Sequence, residues 1–175
     1  MSRSPQFVGV YEDNHPHWVV NGARYSLTLR CSESLPEIEL RKLREMGLQM
    51  KKVDPQSKAY ADFQRRVFLM MEASLDARSG FQPFASHRNA EAAFCFFRRY
   101  NEDGLSFTHG VIMSNHVHLL TGPVEIREVS EWRERIRKLK GRASVHLKIK
   151  GPQTGRLWAS SNYDRWVRSD TEFGN

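Results

Sequence analysis

The stretch Gly110-Val-Ile-Met-Ser-Asn-His-Val-His-Leu-Leu120 constrains the fold most tightly. Its centre is His116-Val117-His118, two imidazoles separated by one apolar residue inside a β-rich run. A strand sends alternate side chains to opposite faces, so the two histidines share a face about 7 Å apart along the chain. Val117, Leu119 and Ile112 then turn to the other side and into a core. Two imidazoles on one face, backed by an apolar face, can converge on one divalent metal ion.

The chain has 175 residues, enough for one domain with a real core. No apolar run approaches the ~20 residues that span a bilayer, so no membrane partner is expected. The N-terminus lacks the apolar centre of a signal peptide, and a cytoplasmic protein is expected. Cys31 and Cys95 lack metal or redox spacing and read as reduced thiols, with Cys95, between Phe94 and Phe96, expected in the core. The net charge of +7 is unevenly placed. From Arg127 to Arg168 there are 12 Lys/Arg against 4 Asp/Glu, whereas the rest of the chain carries 15 against 16. Such a block suits a polyanion, because each cation placed on a phosphate releases condensed counterions.

Along the chain, residues 1–23 read as a loose leading segment, and residues 24–175 as a single domain. His15-Pro16-His17 is a possible second metal pair within that segment. Tyr25, Leu27 and Leu29 alternate as one face of a half-buried strand. Ser34-Leu-Pro-Glu then reads as a helix start, with Ser34 as N-cap and Gly47 as the end. A second helix is predicted over 57–75, its Phe and Met residues forming core, and a third over 88–100. Two strands follow, over 105–113 and 115–121. A long basic helix over 126–148 has Val129, Trp132, Ile136, Leu139, Ala143 and Leu147 as its inner stripe, while Arg133, Arg137, Lys138, Lys140 and Arg142 project elsewhere. Gly141, mid-helix, costs about 1 kcal/mol against alanine and so suggests a close backbone approach. The segment 156–168 interleaves Trp158, Tyr163 and Trp166 with Arg156, Arg165 and Arg168, a composition suited to stacking on bases while neutralising phosphates.

These residues together resemble the REP-associated tyrosine transposases, a branch of the HUH single-strand endonucleases related to IS200-type transposases. His116-Val117-His118 matches the His–apolar–His triplet, and Met113-Ser-Asn-His-Val-His-Leu-Leu120 is similar to the family's core motif, with Ser114 where proline is usual. His17-Trp18, then Tyr25, Thr28 and Arg30, then Ser34-Leu35-Pro36, look like its opening. Lys140-Gly141, Gly155-Arg-Leu-Trp158 and Tyr163-Asp-Arg165 with Arg168 resemble its later landmarks in order.

The resemblance implies an α+β, ferredoxin-like antiparallel sheet with helices on one side and the histidine strand in a central place. It also implies Mg²⁺ or Mn²⁺ held by His116, His118 and a third ligand, with a tyrosine attacking the phosphate to leave a 5′-phosphotyrosine. In the family that tyrosine lies on a C-terminal helix after an acidic start resembling Asp170-Thr-Glu-Phe173. The tyrosine motif is not in this sequence, so a C-terminally incomplete domain lacking the nucleophile and the third ligand is expected. Tyr163 is the one tyrosine near the right region, read first as a packing or stacking aromatic and only as a fallback nucleophile. Three readings stay open. One is a transposase-family protein on single-stranded or hairpin DNA, as nickase or inactive remnant. Another is a non-catalytic hairpin-DNA-binding module. The third, a small metal-dependent phosphodiesterase, is weakened by the lack of a carboxylate beside the histidine pair. Either a monomer or a homodimer is compatible with each.

Overall fold

The computed structural model describes residues 4–13, 16–54, 57–77 and 79–167. His15, Arg168 and the acidic run Asp170–Phe173 lie outside the described residues. In chain order the elements are β1 (Gln6–Glu12), β2 (Pro16–Asn21), β3 (Tyr25–Arg30), α1 (Glu37–Met50), α2 (Lys58–Asp76), α3 (His87–Arg99), β4 (Asn101–Glu102), β5 (Leu105–Ile112), β6 (His116–Thr121), α4 (Val129–Leu147) and β7 (Tyr163–Trp166).

Strands order as β4-β5-β6-β3-β7 in an antiparallel sheet. With α3 between β3 and β5, and α4 between β6 and β7, this is a split βαβ arrangement of the ferredoxin-like kind. The β6 strand is central, as expected. Alternation decides what each face meets. Leu27, Leu29, Val117 and Leu119 turn toward α3 and α4 and join Phe97, Trp132, Ile136 and Leu139 in the main core. There the Trp132 ring stacks on Tyr25 at 4.1 Å. Each large apolar side chain fully buried in this layer contributes about 1.5–3 kcal/mol relative to exposure. The expected one-sided cover is therefore supplied by α3 and α4. The pair α1–α2, inserted between β3 and α3, adds a partial cover on the opposite face. Its own core comprises Leu35, Met50, Tyr60, Val67, Met71 and Leu75, with Tyr163 from β7.

Four local expectations are corrected. Within the supposed loose segment, β1 and β2 pair as an antiparallel hairpin. A register shift between Phe7 and Gly9 blurs the alternation that would have announced it. Gly9 is required there, because a Cβ would stand 2.7 Å from Val129 Cγ2 on α4. Helix α1 starts at Glu37 rather than beside Ser34 and passes through a buried Gly47 to Met50. Cys95 is exposed, because Ala93 and Phe97 take the inward positions of α3 and Cys95 falls between them on the outer side. Trp158 and Tyr163 are buried as core aromatics, so their faces are not open to bases.

Asp164 on β7 ties these layers together. Its carboxylate pairs with His17 Nδ1 on β2 and accepts from Trp132 Nε1 on α4 at 2.9 Å and from Asn162 Nδ2 at 2.9 Å. Tyr11 on β1 stacks flat on His17 at 4.3 Å. The carboxylate and imidazole are both fully buried, so neither can turn to water for replacement partners. His17 thus serves the fold by pairing with a carboxylate. Asp164→Ala should lose about 3–5 kcal/mol in urea denaturation, since it strips partners from three buried donors at once. A loss below about 1 kcal/mol would show that the hub is dispensable.

Candidate metal centre

The register of β3 on β6 places Thr28 opposite His118 and Arg30 opposite His116. On that face, away from α3 and α4, the two imidazoles meet edge to face with centroids 4.6 Å apart, and their Nε2 atoms are 2.9 Å apart. Glu72 reaches down from α2, its Oε2 lying 3.0 Å from His118 Nε2. One ligand atom from each of Glu72, His116 and His118 fits within a 4.8 Å span, a group that could hold a metal ion.

The surroundings of His116 fix which of its ring nitrogens is bare. Asn115 Nδ2 donates to the Leu75 carbonyl at 3.0 Å, which sets the orientation of its amide. The Asn115 Oδ1 can then only accept, so His116 Nδ1, 2.7 Å away, must carry the hydrogen. This leaves the His116 Nε2 lone pair aimed into the cluster. His118 Nδ1 lies 3.1 Å from the Thr28 hydroxyl, which can donate or accept, while His118 Nε2 stands 2.9 Å from His116 Nε2 and 3.0 Å from Glu72 Oε2. Orientation of a ligand ring through its far nitrogen is the usual outer support of a histidine metal site. Burial, then the neighbouring His118, pushes the His116 pKa down to about 4, so the ring is neutral and able to ligate at neutral pH. Glu72 Oε1 is buried without a hydrogen-bond partner among the described residues. A carboxylate beside the Nε2 atoms of two imidazoles is a donor set that suits a divalent cation.

Glu72 is the residue that sequence reasoning missed. Its signal was weak but present: it follows Met71 within the apolar run 67–71 and borders the buried stripe Val67, Met71, Leu75 on the face α2 turns to the sheet. Among the described residues, the carboxylate beside the histidines comes from an inserted helix.

The other candidate residues scatter. Tyr163 is buried under α2, its hydroxyl donating to the Gln64 carbonyl at 3.2 Å and its ring tilted against Phe68. Burial raises its pKa above the ordinary phenol value. Arg133, Arg137, Lys140 and Arg156 line one groove on the α4 side of the sheet, opposite the metal cluster. Within it Arg137 is paired with Glu134 through two bonds of 2.7 and 2.6 Å. Lys140 donates to the Ala159 and Ser160 carbonyls and to Asn162 Oδ1, at 3.0–3.3 Å. Burial brings its pKa down to about 8. Lys138 and Arg142 lie on another flank, engaged with Asp103 and, for Arg142, Glu102. Arg165 pairs with Ser26 on the same sheet face as Tyr163 and the histidines. No helix of the described residues is long and apolar enough to cross a membrane.

No family model matches the chain, and no curated protein matches it. Among solved structures, the chain is similar to a REP-associated tyrosine transposase bound to a REP hairpin, with 11% identity and a TM-score of 0.42. The likeness covers 94% of this chain and 65% of that one, so the chain spans somewhat less than two thirds of its length. A likeness of that size does not establish a shared activity.

Two outcomes follow from the cluster. Glu72→Gln keeps shape but removes the anionic ligand, and should weaken Mn²⁺ binding by about tenfold or more in calorimetric titration. Unchanged affinity would remove Glu72 from the site. The second concerns pH in the absence of metal. His116 binds a proton with a pKa of about 4 when folded against an ordinary 6.5, so the unfolded chain binds more protons between those values. Stability therefore rises with pH from about 4 to 6.5 and is fully present above, by on the order of 2 kcal/mol. His116→Asn should flatten that rise in urea titrations at pH values across the window.

Proposed function

We propose that the chain binds single-stranded or hairpin DNA as a transposase-like protein and carries a Mg²⁺ or Mn²⁺ centre on Glu72, His116 and His118. The observation that supports this reading is the convergence of His116 Nε2, His118 Nε2 and a Glu72 carboxylate oxygen on one sheet face. The excess of 12 Lys/Arg over 4 Asp/Glu between Arg127 and Arg168 supplies the attraction for a phosphate backbone.

Glu72, His116 and His118 would hold such a divalent ion, which would supply Lewis-acid polarisation of a phosphodiester. The protein's own groups set the conditions. Thr28 and Asn115 hold the two rings in register, and Glu72 brings a negative charge beside them. The strand alternation keeps this face apart from the main core. A tyrosine nucleophile is not supplied by the described residues: Tyr25, Tyr60, Tyr100 and Tyr163 are buried, and burial also raises the Tyr11 pKa above the ordinary phenol value. We therefore read Tyr163 as a packing residue and the chain as one that holds DNA without forming a phosphotyrosine.

Glu72 favours a second reading, metal-dependent hydrolysis by water, because it is the carboxylate that such chemistry needs beside the histidines. One experiment separates the two. The protein is incubated with Mn²⁺ and an end-labelled hairpin-flanked single strand, then resolved on denaturing gels. The binding reading expects no covalent band, and affinity falling by about tenfold or more from 50 to 200 mM salt. Free cleavage products that vanish in Glu72→Gln would establish the hydrolytic reading. A covalent band lost in Tyr163→Phe would overturn the assignment of that tyrosine, and no binding at low salt would overturn both readings.

A further inference from the structure

The groove on the α4 side holds features that the metal centre does not use. It encloses about 1040 Å³ between α4 and residues 148–160. Gly141 lies in its wall, mid-helix, and a Cβ placed there would meet nothing within 4 Å. The close approach that a helical glycine suggests is made by none of the described residues, so among them the bare backbone faces open space. One turn on, Val145 is 77% exposed, the most exposed large apolar side chain among the described residues, and it lines the same groove. Ile149 and Leu157 extend that apolar floor. Around it stand Arg133, Lys148, Lys150 and Arg156, all exposed and none in an ion pair among the described residues. Glu134, the one acidic residue in the lining, is already paired with Arg137.

An apolar floor within a cationic rim fits a ligand whose charges alternate with flat apolar groups. Duplex DNA turns its bases inward and offers such a floor nothing. An unpaired strand offers both, with its bases free to stack on or slide against apolar surface. We propose that this groove seats unpaired nucleotides of the bound strand, bases against Gly141 and Val145 and phosphates against Arg133, Lys148, Lys150 and Arg156. The proposal rests on the reading of the chain as a DNA-binding protein and adds where, and in what state, the strand is held. Because the groove and the metal cluster lie on opposite faces of the sheet, anchoring and metal chemistry occupy separate surfaces.

The test uses the full chain and fluorescence anisotropy of two labelled probes, a short oligothymidylate and an abasic strand of equal length and charge. The wild type should bind the oligothymidylate about tenfold or more tightly than the abasic strand. Gly141→Leu adds an apolar side chain to that wall, starting from a Cβ that meets no described atom within 4 Å. It should bring the two affinities together by weakening only the first, with a thermal midpoint no lower than the wild type. Should that midpoint drop, Val145→Asp, at an exposed position, carries the test by weakening oligothymidylate more than the abasic strand. Equal binding of both probes by the wild type, or variants that keep the full preference for bases, would overturn the groove proposal while leaving DNA binding intact. Displacement of the strand by equimolar free thymidine triphosphate or by polyglutamate would also overturn it, in favour of a free nucleotide or an acidic peptide. Failure to bind either probe at low salt removes the DNA-binding reading itself.

Discussion

The pairing of β3 with β6 is the contact on which the rest depends. Leu27 faces Leu119 and Leu29 faces Val117, while Thr28 faces His118 and Arg30 faces His116. Side chains alternate with a period of two, so a one-residue slip would drive the polar set into the main core and the leucines onto the metal face. The burial of Leu27, Leu29, Val117 and Leu119 therefore also aligns Thr28 with His118 Nδ1. The register of a hydrophobic layer and the placing of Thr28 beside the His118 ring are settled by one set of backbone hydrogen bonds.

Asp164 extends that logic to the sheet's far side. Opposite Leu27 on β7, it looks toward α4, whereas its neighbour Tyr163 looks toward α2. Adjacent residues on one short strand thus close two different cores. The hairpin β1–β2 is carried along, because His17 and Tyr11 can pack beside α4 only when the carboxylate is in place. Lys140 performs a similar service for the segment 159–162, spending its ammonium on carbonyls of its own chain. A basic helix read as a uniform phosphate-binding face is thereby divided: some cations hold the fold, and others remain at its rim.

Most of the layered architecture was legible because its signals are periodic. The strand over Tyr25–Arg30, the histidine strand and the stripe Trp132, Ile136, Leu139, Ala143 each repeat over several residues, and a repeat survives one irregular position. The hairpin β1–β2 was not legible, since a bulge and Gly9 interrupt its alternation. Cys95 misled because two flanking phenylalanines suggested a core, although neighbours along a helix point about 100° apart. The histidine pair needed only strand geometry. Glu72 needed the packing of α2 on β6, a contact between residues more than 40 positions apart, and no local pattern encodes that. Exposure at Gly141 was invisible for the same reason: sequence shows that a side chain is missing, and only tertiary structure shows that no described residue fills the space.

The inserted pair α1–α2 has its own apolar cluster, distinct from the one beneath α3 and α4. Two clusters of this kind can open as separate cooperative units, with different free energies. Lifting α2 away would withdraw Glu72 while β3 and β6 stayed paired. A cation bound by both α2 and β6 would then act as a clasp between the units, resisting that opening by RT ln(1 + [M]/Kd) and leaving the sheet's own opening nearly untouched. In amide hydrogen exchange the clasp would slow α2 selectively, so the same three side chains set both what the site can hold and how often its roof comes off.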